Sequence, residues 1–102
     1  MIRLAGLQDV DSIMALEKED IIHPWEKSAI EDLINNPNQV ALVYVDDSDC
    51  PLGYVGAMLI VGEAEIGNVC VSSKARRQGI ANKLLAALDE YLVSHNTYKV
   101  FL

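Results

Sequence analysis

Cysteine is scarce: the 102 residues hold two, Cys50 and Cys70, with no C-x-x-C spacing. Neither a disulfide framework nor a zinc site is suggested, no metal ligand is assigned, and a reducing, cytoplasmic setting is expected. Positive charge is scarce as well. Eight Lys and Arg stand against 15 Asp and Glu, a formal net charge of −7, which argues against a general nucleic-acid or anionic-membrane binder and is compatible with a cationic or amine-bearing partner. Nowhere do about eighteen apolar residues run together, and "MIRLAGLQDV", with Arg3, Asp9 and Asp11, has no apolar h-region. Neither a membrane span nor secretion is expected. Repeats, linkers and low-complexity segments are missing too. What is abundant is apolar surface, at 51% of residues, ample for the core of one small domain and inconsistent with disorder.

Hydrophobic periodicity places the elements. "MIRLA" reads as a short strand. In "DVDSIMALEKED", Val10, Ile13, Met14 and Glu17 fall three and four apart, the repeat of a helix, with Asp9 or Asp11 in the first turn where acids suit the helix dipole. His23-Pro24-Trp25 makes a bend, and "EKSAIEDLINN" resumes a helical period through Ala29, Ile30, Leu33 and Ile34 before Pro37. "QVALVYV" and "GYVGAMLIV", separated by the turn formers "DDSDCPL", predict an antiparallel hairpin, and "EAEIGNVCV" predicts a further strand. Residues 79 to about 95 predict a helix with Ile80, Leu84, Leu85, Leu88 and Leu92 on one face, and "YKVFL" restarts a strand. The last strand-helix-strand unit should cross over right-handed and place its two strands parallel, beside an antiparallel meander. The expected fold is α/β: a mixed sheet with helices on both faces.

Within this acidic chain Lys74, Arg76 and Arg77 crowd the start of the last helix, where the partial positive charge of the dipole makes cations unfavourable by a few tenths to about 1 kcal/mol each. Two readings stay open. An anion offsets the charge, with Gly79 letting it approach the backbone, or the segment is a solvated basic turn. A Walker loop is excluded, because Gly79-Ile80-Ala81-Asn82-Lys83 lacks the Gly-Lys-Ser/Thr hydroxyl, and a dinucleotide fingerprint is excluded by the single glycine.

The hexad Arg76-Arg77-Gln78-Gly79-Ile80-Ala81 resembles the acyl-CoA signature of the GNAT acetyltransferases, Arg/Gln-x-x-Gly-x-Gly/Ala, and it stands after a strand and before an apolar-faced helix, as in that family. Within the family the chain looks most like the RimI-type N-terminal acetyltransferases of bacteria, through "HPW", "EAEIGNVCV", "ARRQGIANKLL" and "YKVFL". The resemblance implies a single GNAT domain over residues 1–102 that lacks the C-terminal helix and last strands. It implies acetyl-CoA as co-substrate, with the backbone of Val69, Cys70 and Val71 on the acetyl and pantetheine portion. Arg77, Gln78, Gly79, Ile80, Ala81 and Asn82 would wrap the pyrophosphate through main-chain N–H groups.

Acetyl transfer needs a neutral amine, a polarised thioester carbonyl and a stabilised thiolate. An α-amine, with a pKa near about 8, meets the first need far more easily than a lysine near about 10.4. The resemblance implies direct attack. The family's base, a glutamate, would directly follow Leu102, and its tyrosine acid lies further on, so ending there should leave an apolar edge strand uncovered. Among the residues present, Glu65 holds the strand position where histone-type relatives carry their catalytic glutamate, against its plainer reading as a solvent-facing strand residue; Glu63 is a weaker candidate. His23 is expected to cap a helix, Trp25 to pack into the core, His95 to complement a helix C-terminus, and Cys70 to act as a small apolar filler rather than a nucleophile. The expected function is N-acetylation of a protein N-terminal amine, on resemblance alone the N-terminal alanine of a small-subunit ribosomal protein. The alternatives are a small-amine acetyltransferase acting on a polyamine or an aminoglycoside, a catalytically silent CoA-binding fragment, and an interaction domain with a basic turn.

Overall fold

The computed structural model describes residues 1–21, 24–60, 62–95 and 99–101. Its order is β1 (Ile2–Leu4), α1 (Val10–Asp20), α2 (Lys27–Asn35), β2 (Gln39–Val45), β3 (Pro51–Ile60), β4 (Glu63–Val71), α3 (Ile80–Ser94) and β5 (Lys99–Phe101). The strands lie side by side in chain order. All neighbours are antiparallel except β4 and β5, which run parallel through Glu63–Glu65 and Lys99–Phe101. The parallel pairing across α3 is the arrangement the periodicity predicts.

Both faces of the sheet are covered, so the central strands are apolar almost throughout. In β2 the alternation sends Ala41, Val43 and Val45 toward α1 and α2, where they pack with Val10, Ile13, Leu16, Ile30 and Leu33. Val40 and Leu42 face the other way, into a second core with Val55, Ala57, Ala64 and the buried stripe Ile80, Leu84, Leu88 and Leu92 of α3. Leu85, predicted on that stripe, is half-buried at its edge. Gly53 lets α3 seat closely. A Cβ there would lie 3.0 Å from the Cys70 carbonyl oxygen and 3.1 Å from Cγ2 of Ile80.

Strand β3 starts at Pro51, inside the run predicted as a turn, because the Asp46 carboxylate closes that turn early by accepting the N–H groups of Ser48 (2.8 Å) and Cys50 (3.0 Å). Of the two acids expected near the first turn of α1, Asp11 is the one in it, and Asp9 stands just ahead, without a capping bond. The Asp9 carboxylate, 2% exposed, turns back to accept the Arg3 guanidinium at 2.7 and 3.0 Å and the Gly6 N–H at 2.8 Å. Arg3 also reaches Asp49 at 2.9 Å, so one cation ties β1, the entry to α1 and the β2–β3 turn. Hydrogen bonding from Arg3 holds the Asp9 carboxyl below the usual carboxylate range, against the opposing effect of burial.

A depressed folded-state pKa stabilises above the unfolded value, about 3.9 for Asp, and that stabilisation is lost as pH falls through the folded one. Urea titrations of the wild type should therefore lose stability in acid more steeply than those of Asp9→Asn, and equal slopes would remove Asp9 from the acid transition. Arg3→Met strands the buried carboxylate and should cost roughly 3 kcal/mol at neutral pH. Leu88→Ala, opening a cavity under α3, should cost about 2–5 kcal/mol in the same assay.

Candidate functional site

Between β4 and α3 the chain turns sharply. Ser72, at the end of the strand, accepts the Lys74 N–H on Oγ at 3.3 Å, and buried Ala75 anchors the turn. Arg77 then takes a left-handed φ of 67°, strained by roughly 1 kcal/mol or more for a residue with a Cβ, and Gly79 one of 72°. Helix α3 starts at Ile80, and its first hydrogen bond runs from the Lys83 N–H to the Gly79 carbonyl at 3.0 Å. The N–H groups of Ile80, Ala81 and Asn82 precede that bond, and Gly79 has no side chain to cap them.

These groups border a cleft of about 310 Å³ whose walls include Val69, Val71, Arg76, Arg77, Gly79 and Asn82. Of the nine residues the sequence suggests for the cofactor, seven meet here: Val69, Val71, Arg77, Gly79, Ile80, Ala81 and Asn82. Two do not line it. Gln78 is exposed outside its walls, and the Cys70 side chain, 1% exposed, packs on the opposite face among the residues of α1 and β2. The three cations also divide. Arg76 and Arg77 border this cleft, whereas Lys74 borders a different hollow with Ser12 and Glu19 of α1. The neighbouring Ser73 fastens the loop to that helix through its Oγ, 3.0 Å from Glu19. A Cβ added to Gly79 would meet no atom within 4 Å, so the space a side chain would claim is open. The donor set suits a diphosphate: unpaired helix N–H groups, a glycine beside them and two guanidinium side chains.

The other face of β4 carries a second hollow, and a bulge separates the two. Pairing with β3 jumps from Gly56 opposite Asn68 to Ala57 opposite Ile66, which leaves Gly67 without a partner. The jump reverses side-chain parity. Ala64 and Ile66 face α3 before it, and Val69 and Val71 face α3 after it. Asn68 is thereby turned toward α1, where its Nδ2 donates to Oε2 of Glu17 at 2.6 Å. The Tyr54 hydroxyl donates to the same oxygen, and the Trp25 backbone N–H donates to Oε1 at 2.6 Å. Glu17 is fully buried. Burial first, and the adjoining carboxylate second, push the Tyr54 hydroxyl well above its ordinary pKa, so it stays a donor.

Trp25, Leu33, Met58, Glu65 and Gly67 line this second hollow of about 190 Å³. A further hollow of about 430 Å³ shares Trp25, Gln39 and Met58 with it and adds the acids Glu26 and Asp32. Glu65 is exposed on this acidic face, and Glu63 is half-buried. Trp25 is half-buried at the rim of the core, against the bulge. His95, exposed, follows the last turn of α3 as expected; its Nδ1 lies 2.7 Å from the Tyr91 carbonyl oxygen and its ring stacks on that of Tyr91. His23 lies outside the described residues. Among the described residues, no group of three or more His, Cys, Asp or Glu side chains is placed to hold a metal ion, and no helix is long and apolar enough to cross a membrane.

Sequence reasoning did not find the tie between Glu17, Tyr54 and Asn68. The available signal was a carboxylate inside the apolar stripe of α1, at a position where the helical repeat calls for a core residue.

Residues 10–102 match the acetyltransferase (GNAT) family. Over 90 residues the chain is 27% identical to a Bacillus subtilis strain 168 protein provisionally named ribosomal protein bS18-alanine N-acetyltransferase; the match covers 87% of this chain and 59% of that protein. The crystal structure of the Escherichia coli ribosomal-protein-S18-alanine N-acetyltransferase superposes with a TM-score of 0.84 at 16% identity, over 95% of this chain and 61% of that one. The Escherichia coli GNAT family N-acetyltransferase YhbS, solved in complex with CoA, gives 0.79 at 24% identity, over 93% of this chain and 57% of that one. The chain thus spans about three fifths of the length of these relatives. A match that runs through the strand bulge, the basic turn and the helix they lead into leaves one assignment: the chain belongs to the acetyltransferase (GNAT) family.

Proposed function

We propose that residues 1–102 act as one domain of an acetyl-CoA-dependent N-acetyltransferase whose acceptor is the N-terminal amine of a protein, with the N-terminal alanine of a small-subunit ribosomal protein as the leading candidate. The observation that carries the reading is the cleft at the start of α3, with three N–H groups ahead of the first helical bond and two arginines at its wall, in a chain of net charge −7. An acidic protein concentrates cationic side chains at one cleft to hold an anion. The acceptor side rests on the 27% identity to the Bacillus subtilis protein and on the acidic face formed by Glu26, Asp32 and Glu65.

In this reading the main chain of Val69, Cys70 and Val71 holds the acetyl and pantetheine portion, and residues 77–82 hold the diphosphate through backbone N–H groups. Acetyl-CoA supplies the acetyl group as an activated thioester. Glu65, two residues before the bulge, draws the incoming ammonium to the sheet and accepts its proton. An α-amine releases that proton near neutral pH, whereas a lysine demands about two pKa units more.

Gly79→Glu places a side chain and a negative charge in the open space beside the helix N–H groups and should abolish CoA binding in calorimetry; unchanged affinity in a folded variant overturns the diphosphate site. Glu65→Gln should leave CoA affinity intact and lower kcat for acetylation of an alanine-initiated peptide by about a hundredfold. An unchanged kcat removes Glu65 from proton transfer.

A further inference from the structure

We propose that Glu17 is a positioning residue for the acyl-donor end of the site: its buried carboxylate, bonded to Asn68, sets the β4 bulge on which the reactive end of acetyl-CoA is laid. The proposal rests on the acetyl-CoA reading above and goes beyond it to a residue that lines neither cleft.

Glu17 occupies a core position of α1, one residue after Leu16 and four after Ile13, both buried. A leucine there would fill the space without the cost of desolvating a charge. The carboxylate survives because its partners are supplied: a backbone N–H from Trp25, a hydroxyl from Tyr54 and an amide from Asn68. All three donors are neutral, so the group is no ion pair; it is an acceptor that collects three separate segments. Tyr54 comes from β3, Trp25 from the approach to α2, and Asn68 from the bulge.

The location of the third donor gives the arrangement its consequence. Asn68 sits between Gly67, which lines the acceptor-side hollow with Trp25, and Val69, which lines the cofactor cleft. Its side chain reaches Glu17 only because the bulge reverses parity at that point, and the bond in turn holds the reversal in place. Without it the β4 segment from Gly67 to Val69 has no side-chain hydrogen bond among the described residues, and regular pairing would carry Val69 and Val71 to the wrong face of the sheet. Trp25, whose ring would stand 3.6 Å from a Cβ on Gly67, is placed by the same carboxylate through its backbone.

Glu17→Gln keeps the shape and removes the charge that accepts from Asn68. Calorimetry against acetyl-CoA and against 3′-phospho-ADP, the nucleotide half of the same molecule, separates positioning from general damage. The variant should lose about tenfold in affinity for acetyl-CoA while 3′-phospho-ADP binds as to the wild type, because the helix N–H groups of Ile80, Ala81 and Asn82 lie at the start of α3, outside the bulge, whereas Val69 and Val71 follow it. Emission from Trp25, the single tryptophan, should shift to the red as its wall loosens. Glu17→Gln combined with Asn68→Asp restores a charged bond of reversed polarity and should recover most of the lost affinity. Asn68→Ala, at a half-buried position, removes the same bond from the other side and should show the same selective loss. Equal weakening of both ligands, or unchanged acetyl-CoA affinity and unchanged Trp25 emission, overturns the positioning role. A wild type that binds neither ligand overturns the acetyl-CoA reading and this proposal with it.

Discussion

The close seating of α3 on the sheet is the constraint from which the site follows. Ile80 and Leu84 press against β3 where Gly53 leaves room, and Ile80 is also the first residue of the helix. Burying Ile80 therefore fixes where the helix begins. Its N–H groups are delivered beside the end of β4, and the chain from Val71 has only eight residues in which to climb from strand to helix. Two left-handed residues, Arg77 and Gly79, make that climb possible. Gly79 accepts the conformation without strain, and Arg77 does so at a cost.

Charge is distributed against the grain of the whole molecule. The chain carries nearly twice as many acids as bases, yet it spends its arginines in two places only. Arg3 binds two aspartates and holds the N-terminal strand, while Arg76 and Arg77 stand at the cleft beside the start of α3. Three acids, Glu26, Asp32 and Glu65, line the hollows on the opposite side of β4, around Trp25 and Met58. The sheet thus separates a cleft bordered by two arginines from hollows lined by three acids, with the β4 bulge between them.

That bulge is where local and global order conflict. Straight alternation along "EAEIGNVCV" puts Glu65, Gly67, Val69 and Val71 on one side, an arrangement that would bury a valine pair with α1 and leave Asn68 and Cys70 beneath α3. The structure instead breaks the alternation at Gly67, and each half of the strand then meets a suitable partner. A buried carboxylate holding an amide is an expensive way to secure one residue of slip, and such local expense is characteristic of functional sites.

The elements were legible in the sequence because they rest on local periodicity. Ile80, Leu84, Leu88 and Leu92 announce α3, "QVALVYV" announces a strand covered on both faces, and the turn residues between runs mark where the sheet folds back. The basic turn and its glycine were legible for a similar reason: they fall together in sequence at a strand-to-helix junction, where cations oppose the helix field. What the tertiary structure alone decided lies in long-range pairing. Glu17 meets Tyr54 and Asn68 across 37 and 51 residues of chain, and Cys70 turns away from the cleft that its neighbours line. None of these depends on neighbours in sequence. Each is set by which face of the sheet a strand presents, a choice that side-chain alternation leaves open until the register is known.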